Sequence, residues 1–186
     1  MEFKSVINYP IMELGVSQIF LNEDKIKAVE EWFDLGNMHI FEPLTVRDFG
    51  NGKYTLTDGH SRAYVAYKNG ITVIPIVYDN DEIVAGEIGQ KLYKTDIEWC
   101  NRFFIFNISH LAKRIINNDD YQRLWIERCD RSYNLLTQMT EEECQLIQSK
   151  KPNLFLYGAS DDLSELYFEN SEGESVVYQN VSNNWL

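Results

Sequence analysis

Five consecutive residues hold most of the chemistry this chain could perform: Asp58, Gly59, His60, Ser61 and Arg62. Asp58 could accept a proton from a substrate, hold Mg²⁺, or simply tie a turn together. His60 could donate a hydrogen bond to phosphate, or serve as an acid or a base. Arg62 brings a fixed charge with forked donors that suit phosphate or carboxylate. Ser61 adds a hydroxyl, and Gly59 lets the backbone come close to a ligand. The same residues also read as a capped turn with no ligand.

The flanking sequence says what must hold these groups in place. A β-like run ends at Leu56, and Asp58-Gly59 is turn chemistry. Ser61 stands where a helix N-cap would stand, ahead of Ala63-Tyr64-Val65-Ala66-Tyr67. Gly70 fits the helix stop, and Ile71 to Tyr78 resumes a strand. The five residues therefore occupy a strand-to-helix turn. Unpaired N–H groups at a helix start favour anions, and the helix dipole adds to this. The expected site is a phosphate or nucleotide subsite at Gly59, His60, Ser61 and Arg62.

Upstream, Val16, Ile19, Phe20 and Leu21 mark the clearer of one or two short strands. Asn22 is a good N-cap, with Glu23 and Asp24 in the first turn of a helix running to about Leu35. Ile26, Val29 and Phe33 give that helix one buried stripe, and Gly36 closes it. Pro43 to Val46 reads as a strand, Asn51-Gly52 as a hairpin, and Lys53 to Thr57 as the returning strand. Pro75 predicts that its strand is at a sheet edge or bulged.

Downstream of Tyr78 the polar run Asp79 to Glu82 predicts a seam, dividing the chain into residues 1–80 and 81–186. One helix is expected over about 86–103, a short one capped by Ser109, and a longer one capped by Asn118. Tyr121, Trp125, Cys129 and Tyr133 are spaced by four on that longer helix. This stripe is expected to be buried, within the chain or across a homodimer. Thr140 and Glu143 form a capping box for a further helix that ends before Pro152. Three β-like runs follow, over 153–157, 163–168 and 175–178, and predict an antiparallel meander. The fold class expected is α+β: a small mixed sheet with helices, then a helical segment, then the meander.

A net charge of −12 repels nucleic acid and anionic membrane surfaces, although a local anion site remains compatible with it. Cys100, Cys129 and Cys144 are odd in number and form no CxxC pair, so they read as reduced packing residues of a cytoplasmic protein. No apolar run reaches transmembrane length, and the N-terminus lacks a signal-peptide pattern. His39 and His110 have no partners at metal-ligand spacing, so they read as structural, and no metal site is expected. Neither a Walker motif nor Gly-x-Gly-x-x-Gly is present.

Three motifs occur in order: Glu42-Pro43-Leu44-Thr45-Val46-Arg47, then Thr57-Asp58-Gly59-His60-Ser61-Arg62-Ala63, then Gly70-Ile71-Thr72-Val73-Ile74-Pro75-Ile76-Val77. Together they resemble the ParB/sulfiredoxin superfamily over residues 11 to 80. The resemblance implies one of three activities: a DNA-segregation CTPase, a sulfinic-acid reductase or a free-serine kinase. In the reductases the catalytic Cys would fall at His60, so that chemistry is not expected here. In the CTPases the turn is Gly-Glu-Arg-Arg, and here it is Gly59-His60-Ser61-Arg62. The kinases carry Asp-Gly-His-His-Arg, which matches Asp58, Gly59, His60 and Arg62, with Ser61 replacing the second His. Their base is a Glu near the start of the first helix, a place similar to that of Glu23.

The leading expectation is therefore a nucleotide- or phosphate-ligand-binding ParB-like protein that acts as a small-molecule, amino-acid-type phosphotransferase. Glu23, Asp58 and His60 would be catalytic, and the cofactors would be ATP, ADP or CTP with Mg²⁺. The second is a non-catalytic ligand sensor that binds a partner protein through its helical half. The third is a ParB-like factor linked to nucleic acid.

Overall fold

The computed structural model describes residues 5–179, with the side chains of residues 38–40, His39 included, outside the described set. The fold is α+β, with sheets of four, two and three strands. The chain divides into two compact units, Met1–Trp125 and Ile126–Leu186.

The first unit is built on a four-stranded sheet. Its strands are β1 (Val6–Pro10), β3 (Leu44–Asp48), β4 (Tyr54–Leu56) and β5 (Val73–Tyr78), in the order β1-β5-β3-β4. β3 runs parallel to β5, and the other neighbours are antiparallel. The Asn51-Gly52 hairpin joins β3 to β4. In it the Asp48 carboxylate accepts the N–H groups of Gly50, Asn51 and Gly52 at 2.8, 3.1 and 3.0 Å. Alternate residues of the strands point into the core, where Leu44, Leu56, Ile74 and Ile76 are buried. Each such side chain contributes roughly 1.5–3 kcal/mol.

Pro75 corrects the expectation of an edge or a bulge. β5 is a central strand, and its register with β1 is unbroken. The proline is tolerated because the parallel ladder with β3 starts one residue later, at Leu44 opposite Ile76. A second correction concerns the N-terminal strand. The strand that joins the sheet is β1, while Val16, Ile19 and Leu21 are buried in a largely irregular segment. Within that segment only Leu21–Asn22 (β2) pairs, in parallel with Ile115–Ile116 (β6).

Helix α1 (Glu23–Trp32) is capped by Asn22, whose side chain accepts from the Asp24 and Lys25 N–H groups. It stops at Phe33, short of the expected Leu35, and a 3-10 segment (Leu35–Ile40) follows. Helix α2 (His60–Lys68) buries Ala63, Tyr64, Val65 and Ala66. The residues beyond Tyr78 continue the first unit as α3 (Glu82–Ala85), α4 (Glu87–Arg102) and a 3-10 segment over Ile108–Lys113.

The division between units therefore falls at Trp125/Ile126, not at the polar run around residue 80. Long-range contacts are the reason. Leu21 N–H donates to Arg114 O at 2.9 Å. The Tyr93 hydroxyl donates to Thr57 O at 3.0 Å, and its ring stacks on Phe49 at 4.9 Å. The 3-10 segment starting at Ile108 is capped by Asn107 rather than Ser109.

The helix expected from Asn118 starts one residue after its actual cap, Asn117, and includes a π turn. Its parts are α5 (Asn118–Tyr121), the π turn Gln122–Ile126 and α6 (Glu127–Gln138). A wider turn resets the helical phase. Tyr121 and Trp125 are buried as expected, but beyond the π turn the buried residues are Arg128, Ser132 and Leu135. Cys129 is half-buried, and Tyr133 is 51% exposed.

The second unit packs α6 and α7 (Glu141–Ser149) with an antiparallel sheet of β7 (Phe155–Ala159), β8 (Glu165–Glu169) and β9 (Ser175–Gln179). The Thr140–Glu143 capping box is present. The core is Leu135, Ile147, Leu156, Ala159, Leu166 and Phe168. A buried ion pair joins Arg128 to Glu169, and the Arg128 guanidinium lies 5.0 Å from the Tyr157 ring centre.

Candidate functional site

The Asp58 turn is held from below. The Thr57 hydroxyl donates to the buried Asp79 carboxylate at 2.6 Å, while Thr57 N–H donates to Thr45 O at 3.0 Å. Arg47 in turn donates to Asp79 O at 2.7 Å. With Tyr93 on the Thr57 carbonyl, the last residue before the turn is fixed on every polar group.

Gly59, not Ser61, is the N-cap of α2, with φ at +81°. A side chain there is disfavoured twice over. The conformation is left-handed, and a Cβ would lie 2.6 Å from Leu44 Cδ2. The first intrahelical bond is Ala63 N–H to Gly59 O at 2.8 Å, and among the described residues no side chain caps the helix. The N–H groups of the first turn, at His60, Ser61 and Arg62, are therefore outside the helical ladder.

This helix start opens on a groove of about 370 Å³ whose lining includes Lys25, Trp32, Asp58 through Arg62, and Tyr121. Two basic side chains, an uncapped helix start and two aromatic rings thus share one concave surface. The Arg62 guanidinium is already engaged there. It lies 3.3 Å from Asp58 Oδ2, 3.3 Å from Glu42 O and 3.7 Å from Glu42 Oε2. Both acids are largely exposed, so these pairs are weak and exchangeable. Lys25 Nζ lies 5.4 Å from the Tyr121 ring centre.

His60 differs from the solvent-facing turn residue that its sequence position allowed. It is 5% exposed, and its Nε2 accepts the Ser17 N–H at 3.1 Å. The Ser17 hydroxyl donates to Leu56 O at 2.7 Å. Burial pushes the imidazole down to about 4, with the Asp58 carboxylate opposing the shift. The ring is thus neutral at pH 7, with its proton on Nδ1. A base needs a free lone pair, and the Ser17 N–H occupies the one on Nε2. What His60 retains is a single donor.

Glu23 is not brought to the groove. It pairs with Lys27 at 2.9 Å. Lys25, which does line the groove, is two residues further along α1, about 200° around the helix. Asp58 is the carboxylate among the described lining residues. His110 serves a local role, its Nδ1 accepting Phe106 N–H at 3.2 Å. Among the described residues, no cluster of three His, Cys, Asp or Glu is placed to hold a metal ion.

The sequence reading missed Gln18, Lys25, Trp32 and Tyr121 as lining residues. One signal was available: Lys25, Ala28, Val29 and Trp32 repeat at i, i+3, i+4 and i+7, so they share a face of α1. Tyr121 had none, because it arrives from a segment almost a hundred residues away.

Among the described residues, no helix is long and apolar enough to cross a membrane. No protein-family model matches the chain, and no curated protein matches it. Among solved structures, the chain is similar to the crystal structure of protein Atu1540 from Agrobacterium tumefaciens. That similarity has a TM-score of 0.38 and 11% identity, over 81% of this chain and 86% of the other.

Proposed function

We propose that this protein binds a phosphorylated small molecule or nucleotide in the groove at the start of α2. One observation supports this above the rest: the uncapped first turn of α2 shares its concave surface with Lys25 and Arg62. Helix N–H groups, the dipole and two cations favour the same ligand charge. Trp32, 53% exposed on the same groove, offers a flat face to a base or ring. Charge-assisted hydrogen bonds to phosphate contribute about 1.5–3 kcal/mol each.

The ParB/sulfiredoxin-like reading of residues 11 to 80 belongs to this proposal, with ATP, ADP or CTP as ligands and Mg²⁺ beside Asp58. Binding without turnover is favoured, because Glu23 lies off the groove and the Nε2 lone pair of His60 is occupied. The phosphotransferase reading passes to Asp58 as base, supported by its exposed carboxylate on the groove rim. A nucleic-acid role has only the superfamily resemblance behind it and is opposed by the net charge of −12. Calorimetry with ATP, ADP, CTP and inorganic phosphate, with and without Mg²⁺, tests the proposal. Saturable binding that Arg62→Ala weakens about tenfold or more is the expected result. Turnover of a hydroxyl substrate, lost in Asp58→Asn, would shift the reading to the enzyme.

A further inference from the structure

The two edges of the four-stranded sheet are finished differently. At the β4 edge the chain covers itself, with Gly15 N–H donating to Tyr54 O at 2.8 Å and Leu56 N–H donating to Gly15 O at 3.0 Å. At the other edge β1 is the outermost strand, and among the described residues no strand pairs with its outer side. The direction of its backbone groups follows from one bond. Ile11 N–H donates to Thr72 O at 3.0 Å, towards β5. By antiparallel alternation Tyr9 and Ile7 also face β5, so Val6, Asn8 and Pro10 turn their backbone groups outward.

Exposed edges are ordinarily blunted by a charge, a proline, a bulge or a covering loop, and of these β1 has a proline at its last position, Pro10. β1 carries no charged residue, and its register with β5 has no shift. Val6 and Ile7 are 53% and 42% exposed. The described residues that line the hollow beside them are uncharged as well, with Phe41, Pro43, Val73 and Pro75 next to Val6 and Asn8. On a chain of net charge −12, an uncharged strip is where an equally charged copy meets least repulsion.

We propose that β1 pairs antiparallel with β1 of a second copy of this chain, making one continuous sheet across a dimer. The strand is complementary to itself when the pair is centred on Asn8. Asn8 N–H donates to the Asn8 carbonyl of the second copy, and reciprocally. Val6 N–H donates to the Pro10 carbonyl opposite, so every outward N–H of the strand finds an acceptor. Pro10, which has no N–H, takes an accepting position. Ile7 then stands opposite Tyr9 of the second copy, at a non-hydrogen-bonded site where side chains come closest. A β-branched residue against an aromatic ring is a favourable cross-strand pair.

Sedimentation velocity on the full chain over a roughly hundredfold concentration range tests this, because a dimer dissociates on dilution. The unaltered protein is expected to dimerise. Ile7→Lys places a charge on the edge and should raise the dimer dissociation constant about tenfold or more. Asn8→Pro removes an outward N–H without touching the β5 ladder and should do the same. Circular dichroism establishes that each variant is folded, and if one is not, the other decides. A monomer at every concentration would overturn the proposal, and so would a dimer that survives in the folded variants.

Discussion

At the scale of single residues, the Asp58 turn determines how the groove behaves. Arg62 is held by Asp58 and Glu42, so a bound anion must share it with them. Asp58→Asn should therefore raise the affinity for inorganic phosphate a few-fold, read by calorimetry at low salt, because one competing carboxylate is gone. A loss of affinity would instead give Asp58 a direct ligand role, through Mg²⁺ or a substrate hydroxyl. His60 gives a prediction in pH. Its folded-state value of about 4 lies below the ordinary 6.5, so the unfolded chain binds the proton more readily. The contribution to stability is complete above about pH 6.5 and is lost as pH falls towards 4. Urea midpoints should drop across that window, and His60→Gln should flatten the upper half of the slope. Gly59→Ala should cost about 1–3 kcal/mol, from the left-handed backbone and the collision with Leu44. A Gly59→Ala thermal midpoint within about a degree of the unaltered protein would contradict that account.

At the scale of elements, the sequence was legible wherever the signal was local. The Asn51-Gly52 hairpin, the Thr140 capping box and the three-strand meander all lie where turn and cap residues placed them. The strand-to-helix turn at Asp58 was legible too, with the cap moved from Ser61 to Gly59. Signals that depended on distant partners were not. β1 becomes a strand because β5 lies beside it, whereas the more apolar Val16 to Leu21 stretch finds no long strand to pair with. The π turn at Gln122–Ile126 broke a spacing of four that looked continuous on paper. In the second unit, Gly158 brings β7 close to α6, since a Cβ there would lie 2.6 Å from Arg131 Cβ. Phe168, fully buried in that unit's core, should cost about 3–5 kcal/mol when cut to Ala. Glu169→Ala should cost about as much, because it leaves the Arg128 charge buried without its carboxylate. Denaturant titration checks both.

At the scale of the whole molecule, overall charge and local geometry pull in opposite directions. A net charge of −12 is opposed to nucleic acid, yet one groove gathers an uncapped helix start, Lys25 and Arg62. The candidate site was half legible. The turn residues were visible in order along the chain, but Lys25, Trp32 and Tyr121 join them only once the chain has folded. Glu23 shows the reverse case, since the family resemblance implied a base there, and the folded chain pairs it with Lys27. The central claim is that the first turn of α2 receives a phosphate group. Its most direct test is a backbone amide titration by nuclear magnetic resonance, adding ATP, CTP or pyrophosphate to the ¹⁵N-labelled full chain. Saturable downfield shifts at His60, Ser61 and Arg62, with smaller changes at Lys25 and Trp32, are the predicted result. Amides at these positions that stay fixed while others in the chain respond, or a spectrum that no phosphorylated ligand alters, would contradict it.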